Sequence, residues 1–167
     1  MNVQKLPAPS VLFVCTANIC RSPMAAALFR ALIEKTLPDG HCWRVESAGT
    51  WAEDGQPVSA GSLEVMRQRG MDLSQHRSRR VTRQLIGQFD LVLTMEPGHK
   101  EALRLEFPEY ADRIYLLSEM LGLSVPVRDP YGEALIAYEV AAETIENMLC
   151  KGLNRIIAMV EARRVKI

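Results

Sequence analysis

The chain has 167 residues, 48% of them hydrophobic and 24% charged, enough to bury a core without help from disulfides or a metal. Twenty Lys and Arg balance twenty Asp and Glu, so no global field draws the chain to nucleic acid or an anionic membrane, and any affinity for anions has to be local. The apolar run in MNVQKLPAPSVLFVC is too short for a signal sequence and no segment has the length of a membrane span, which sets a cytoplasmic location and no membrane partner as the expectation.

Residues 1–9 read as a flexible N-terminal extension. Val11 to Val14 form a short apolar run typical of a strand buried on both faces. A helix follows, with Pro23 in its first turn, apolar positions Met24, Leu28, Leu32 and Ile33 at helical spacing, and Pro38-Asp39-Gly40 as its stop. Trp43 to Ser47 is the second strand and AGTWAEDGQP a turn-rich loop. Leu63 to Arg69 is helical and ends at Gly70. FDLVLTM, Phe89 to Met95, is the third strand, Pro97 to Leu105 a helix, and Arg113 to Leu117 the fourth strand. DPYG opens a long final helix with the stripe Leu135, Tyr138, Ala142, Ile145, Leu149, Ile156 and Val160. Strands alternating with helices predict an α/β fold: a small, doubly wound, four-stranded parallel sheet with helices on both faces, in one domain over 1–167.

Ligands of such sheets bind beyond the carboxyl ends of the strands, where the first strand delivers Cys15. Between Cys15 and Arg21 the chain turns before a helix, so the backbone N–H groups of Thr16, Ala17, Asn18, Ile19, Cys20 and Arg21 converge as an anion-binding loop, reinforced by the helix dipole. Such a setting favours thiolate over thiol, and Arg21 adds a planar fork for two oxygens of a tetrahedral oxyanion. Nucleophile, cradle and clamp together suit displacement at phosphorus without a metal. Taken alone, the same two residues equally fit an inert buried cysteine beside an arginine. Four scattered cysteines, Cys15, Cys20, Cys42 and Cys150, have no zinc-site spacing and are expected as free thiols. No metal or cofactor is expected.

CTANICRSP resembles the active-site loop of the low-molecular-weight protein tyrosine phosphatases, a C-x5-R-S signature directly after the first strand. The likeness continues through VESAGT, LSQHRSR, FDLVLTME and RDPYG. It implies that Cys15 is the nucleophile, Arg21 the phosphate clamp and Asp129 the general acid, which then activates water against a phosphocysteine. It also implies that Ser22 hydrogen-bonds the Cys15 sulfur, that Asn18, Ser47 and His76 brace the loop, and that Cys20 forms a reversible disulfide with Cys15 under oxidation. As isolated residues, Asp129 and Ser22 fit helix caps just as well. The family usually has glycine where this chain has Ala17, which matters if that position needs positive φ, unless Asn18 carries the conformation instead.

Trp51 and Tyr131 are the aromatic candidates for flanking a phenyl ring. Relatives that act on phosphoarginine tend to have threonine where this chain has Ile19, which favours a phosphotyrosine-containing protein as substrate, with a tyrosine kinase as a possible partner. Three alternatives stay open: a protein arginine phosphatase; an arsenate reductase, disfavoured because LTMEPGHKEALRLEF lacks the further cysteine pair; and a binding module without turnover, carried by Arg67, Arg69, Arg77, Arg79, Arg80 and Arg83. The sequence does not specify the oligomeric state.

Overall fold

The computed structural model describes residues 6–165. Its centre is a four-stranded parallel sheet of β1 (Ser10–Cys15), β2 (Arg44–Gly49), β3 (Leu91–Thr94) and β4 (Ile114–Leu116), in the order β2-β1-β3-β4. Every residue of β1 is buried, because helices cover both faces and each side chain of the strand meets one or the other. Val11 and Phe13 point into the larger core, with Met24, Phe29 and Ile33 of α1 (Arg21–Thr36). Leu12 and Val14 point the other way, toward Ile86 and Leu103. Burying side chains of this size contributes about 1.5–3 kcal/mol each, so the strand at the middle of the sheet is also the best anchored.

The larger core is closed by α5 (Leu135–Arg164), which contributes Ala142, Ile145, Leu149 and Ile156. The opposite face is covered by α3 (Arg83–Ile86) and α4 (Pro97–Glu106), while α2 (Ala60–Gln68) packs with α1 and α5. Strand order reverses between β1 and β3, so the switch-point crevice opens at the carboxyl end of β1, just after Cys15.

Several boundaries differ from the sequence reading. The second strand begins at Arg44 and runs to Gly49, since its pairing with β1 continues to Cys15↔Gly49. The fourth strand stops at Leu116, and Leu117–Leu121 coils into a 3-10 turn. DPYG does not open α5: the Asp129 carboxylate accepts the Tyr131 N–H at 3.1 Å and Gly132 has φ +77, making a turn, and the helix starts at Leu135. Leu135 is consequently exposed rather than part of the stripe, which instead gains Met148 and Leu153. Of the expected flexible extension, residues 1–5 lie outside the described residues, while Pro9 O accepts the Arg44 N–H at 2.8 Å and Pro7 O accepts from Arg164.

Candidate active site

The loop between β1 and α1 brings Cys15, Thr16, Ala17, Ile19, Cys20 and Arg21 around a pocket of about 320 Å³, closed on its far side by Asp129 and Tyr131. Its shape is fixed from beneath by Asn18, fully buried and at φ 58, the one non-glycine residue with positive φ among the described residues. Asparagine adopts this conformation more readily than most residues, and the chain therefore has no need of a glycine at Ala17. The Asn18 amide donates to Ser22 Oγ and to Ser47 Oγ, both at 2.9 Å, and its Oδ1 accepts the Arg79 N–H at 3.0 Å. Its carbonyl accepts from His76 Nε2 at 2.7 Å, which fixes that nitrogen as protonated.

Gly49 presses β2 against the same loop. A Cβ there would sit 2.3 Å from Thr16 O and 3.0 Å from Asn18 N, so only glycine permits the approach. The following residues stitch the loop further, with Thr50 N–H donating to Cys15 O, Trp51 N–H to Thr16 O and Ser59 N–H to Ile19 O.

Cys15 is 2% exposed and its sulfur lies 3.0 Å from Ser22 Oγ. Because Asn18 already donates to that oxygen, the Ser22 proton is free to point at the sulfur or at Ala48 O, 3.3 Å away. Cys20 faces Ser59 Oγ at 3.0 Å, and burial pushes its thiol above the ordinary cysteine value.

Arg21 is 1% exposed. One terminal nitrogen is ion-paired with Glu96 and donates to Val127 O at 2.9 Å, while the other approaches Asp129 at 3.4 Å. Its Nε is buried and has no protein partner. Leaving a charged donor unsatisfied costs about 1–3 kcal/mol or more, a cost that an oxyanion in the pocket recovers. Glu96, Val127 and His99, which contacts Thr16, escaped the sequence reading because the contacts span 75, 106 and 83 positions. The one local signal was Glu96-Pro97 opening α4, where Glu96 and His99 form a reciprocal helix cap.

The model of the family described as low molecular weight phosphotyrosine protein phosphatase matches residues 10–163. The chain belongs to this family. The phosphatases in it are cysteine-based and metal-independent. The probable low molecular weight protein-tyrosine-phosphatase EpsP of Ralstonia nicotianae is 36% identical over 150 residues, covering 90% of this chain and 97% of that protein. A protein-arginine-phosphatase of Geobacillus stearothermophilus is 36% identical over 140 residues, covering 83% and 90%. The crystal structure of a low molecular weight protein tyrosine phosphatase from T. tengcongensis superimposes with a TM-score of 0.82 at 39% identity, over 89% of this chain and 99% of that one.

The two aromatic candidates separate. Tyr131 borders the pocket, whereas Trp51 stands outside it, 75% exposed, in an adjoining groove of about 970 Å³ that Tyr131 also lines. Arg80 lies over the Trp51 ring at 4.7 Å. Of the arginine-rich stretch, Arg67, Arg69, Arg79 and Arg83 are paired with Glu64, Glu146, Glu46 and Glu109. With four of six arginines so neutralised, little of the stretch is left to act as a phosphate-tracking surface.

Proposed function

We propose that the chain is one catalytic domain that hydrolyses phosphotyrosine in proteins through a cysteinyl-phosphate intermediate, in the cytoplasm, with a tyrosine kinase among its candidate substrates. The observation that carries this reading is the buried Arg21 Nε without a protein partner, in a pocket shared by Cys15 and Asp129. Cys15 sulfur attacks phosphorus while Arg21 and the loop amides hold the equatorial oxygens. Asp129 protonates the departing phenolate and then takes the proton of the water that attacks the phosphocysteine. Ser22, 3.0 Å from the sulfur, donates to the departing thiolate in that second step.

That Cys15 and Cys20 line the same pocket supports a redox reaction between them. A hydroperoxide converts the Cys15 thiolate to a sulfenic acid and is itself reduced to an alcohol or water; Cys20 then attacks that sulfur, forming a disulfide and releasing water. Tyr131 at the pocket rim and Ile19 in the loop support an aryl substrate. The arginine phosphatase reading keeps a footing in the 36% identical Geobacillus relative.

Stopped-flow hydrolysis of p-nitrophenyl phosphate in EDTA tests the route. A nitrophenol burst in the parent, absent from Cys15→Ser, is the expected result, with phosphotyrosine peptides preferred over phosphoarginine peptides. Undiminished turnover by Cys15→Ser would overturn the mechanism, and preference for phosphoarginine would overturn the substrate.

A further inference from the structure

The junction between β3 and α4 reaches the pocket wall through His99. The Glu96 backbone N–H can only donate, and it points at His99 Nδ1 at 3.2 Å. Nδ1 is therefore the bare nitrogen, and the neutral ring carries its hydrogen on Nε2. Nε2 lies 2.8 Å from Thr16 Oγ1 and donates to it. His99 is 7% exposed, so the ring does not exchange this partner for water.

With one lone pair occupied in this way, the Thr16 hydroxyl keeps its own proton for an acceptor. Among the described residues it has no other hydrogen-bond partner. Thr16 lines the pocket beside Cys15, Arg21 and Asp129, and Glu96, whose N–H sets the His99 tautomer, is also the residue ion-paired with Arg21. A capping histidine needs only its Nδ1 contact, which leaves the Nε2 contact to a pocket-wall hydroxyl without a role in the helix cap.

We propose that the Thr16 side chain, oriented by His99, donates a hydrogen bond to the bound phosphoryl group in addition to the loop amides. His99 acts through Thr16 and is a positioning residue. The assignment rests on the reading of this pocket as a phosphate site.

The test measures two quantities, calorimetric binding of inorganic phosphate and kcat/KM for p-nitrophenyl phosphate, in Thr16→Val, Thr16→Ser and His99→Asn. A hydrogen bond to a charged group is worth enough that Thr16→Val weakens both by about tenfold, whereas Thr16→Ser retains both within about twofold. His99→Asn keeps an amide oxygen for the Glu96 N–H and loses the donor to Thr16, so the helix cap and the thermal midpoint persist while phosphate binding falls. The same change made in Thr16→Val has no further effect, because the two residues act as one unit. Parent-like phosphate binding by Thr16→Val overturns the proposal, as does a His99→Asn loss of equal size in both backgrounds. A parent that binds phosphate without turnover, with Thr16→Val still weakening that binding, retires the catalytic reading and keeps the donor.

Discussion

The floor and the rim of the pocket are built on opposite plans. The floor, from Cys15 to Ser22, is buried at Cys15, Asn18, Cys20, Arg21 and Ser22, and it is over-determined: Asn18 alone engages Ser22, Ser47, Arg79 and His76. The rim is exposed, with the Asp129 side chain at 46%, Tyr131 at 65% and Trp51 at 75%. It is tied to the floor by the Arg21–Asp129 contact and the Trp51 N–H on Thr16 O, and otherwise held by an Asp129 turn, the Arg128–Glu133 pair and an arginine stacked on Trp51. A group that must meet phosphorus in one geometry belongs on the floor, while groups that meet a variable peptide sit on the rim.

Substitutions break this contrast in order of size. Arg21→Ala removes the only side-chain cation of the floor, and kcat/KM for p-nitrophenyl phosphate is expected to fall by about a thousandfold, in line with losing a preorganised oxyanion donor. A fall of less than tenfold would mean that the loop amides suffice. Asp129→Ala belongs to the rim but takes part in proton transfer. It lowers kcat by about a hundredfold for poor leaving groups and much less for good ones, which a series of substituted phenyl phosphates would resolve. A uniform loss across the series would make Asp129 a binding group instead.

Asn18→Ala strips three side-chain hydrogen bonds from the floor, those with Ser22, Ser47 and the Arg79 N–H, while its backbone carbonyl keeps the bond from His76. Leaving its buried partners unpaired costs about 2 kcal/mol, seen as a lower urea midpoint, with a smaller loss of kcat than Arg21→Ala. Weaker again is a pH effect. Burial holds His76 and His99 below the ordinary histidine value, more than the nearby carbonyl or carboxylate raises them. The unfolded chain therefore takes up their protons first as pH falls. Their contribution to stability is complete above about pH 6.5 and is lost as the pH drops through the unfolded value toward the folded ones. Urea midpoints at pH 7.5 and 5.5 should differ less in His76→Gln, which can still donate to Asn18 O, than in the parent. Trp51→Ala, at the outer edge of the rim, should raise KM for a phosphotyrosine peptide by about threefold or less and leave p-nitrophenyl phosphate hydrolysis unchanged.

The same contrast governs what the sequence discloses. The floor is legible because Cys15, Asn18, Arg21 and Ser22 lie within one turn of chain, after a strand whose apolar run has no other plausible structure. Its supports from far along the chain are not: Glu96 and His99 look like the opening of a surface helix, and nothing local says that Arg21 and Thr16 wait for them. Short elements such as Arg83–Ile86 carry too few residues for a period to show. Tyr131 and Trp51 look alike in sequence, each an aromatic in a polar, turn-rich stretch, and the fold separates them because the Asp129 turn carries Tyr131 to the pocket while the Trp51 N–H, bound to Thr16 O, leaves its ring facing outward.

The burial of Arg21 has a consequence for solution conditions. Mobile ions screen charges that they can approach, over roughly 8 Å at physiological ionic strength, yet they cannot reach around a guanidinium that is 1% exposed and flanked by Glu96. Added salt therefore acts on this site by occupation rather than by screening. Sulfate and phosphate should inhibit as tetrahedral competitors, whereas sodium chloride at the same ionic strength should leave the affinity for substrate nearly as it was.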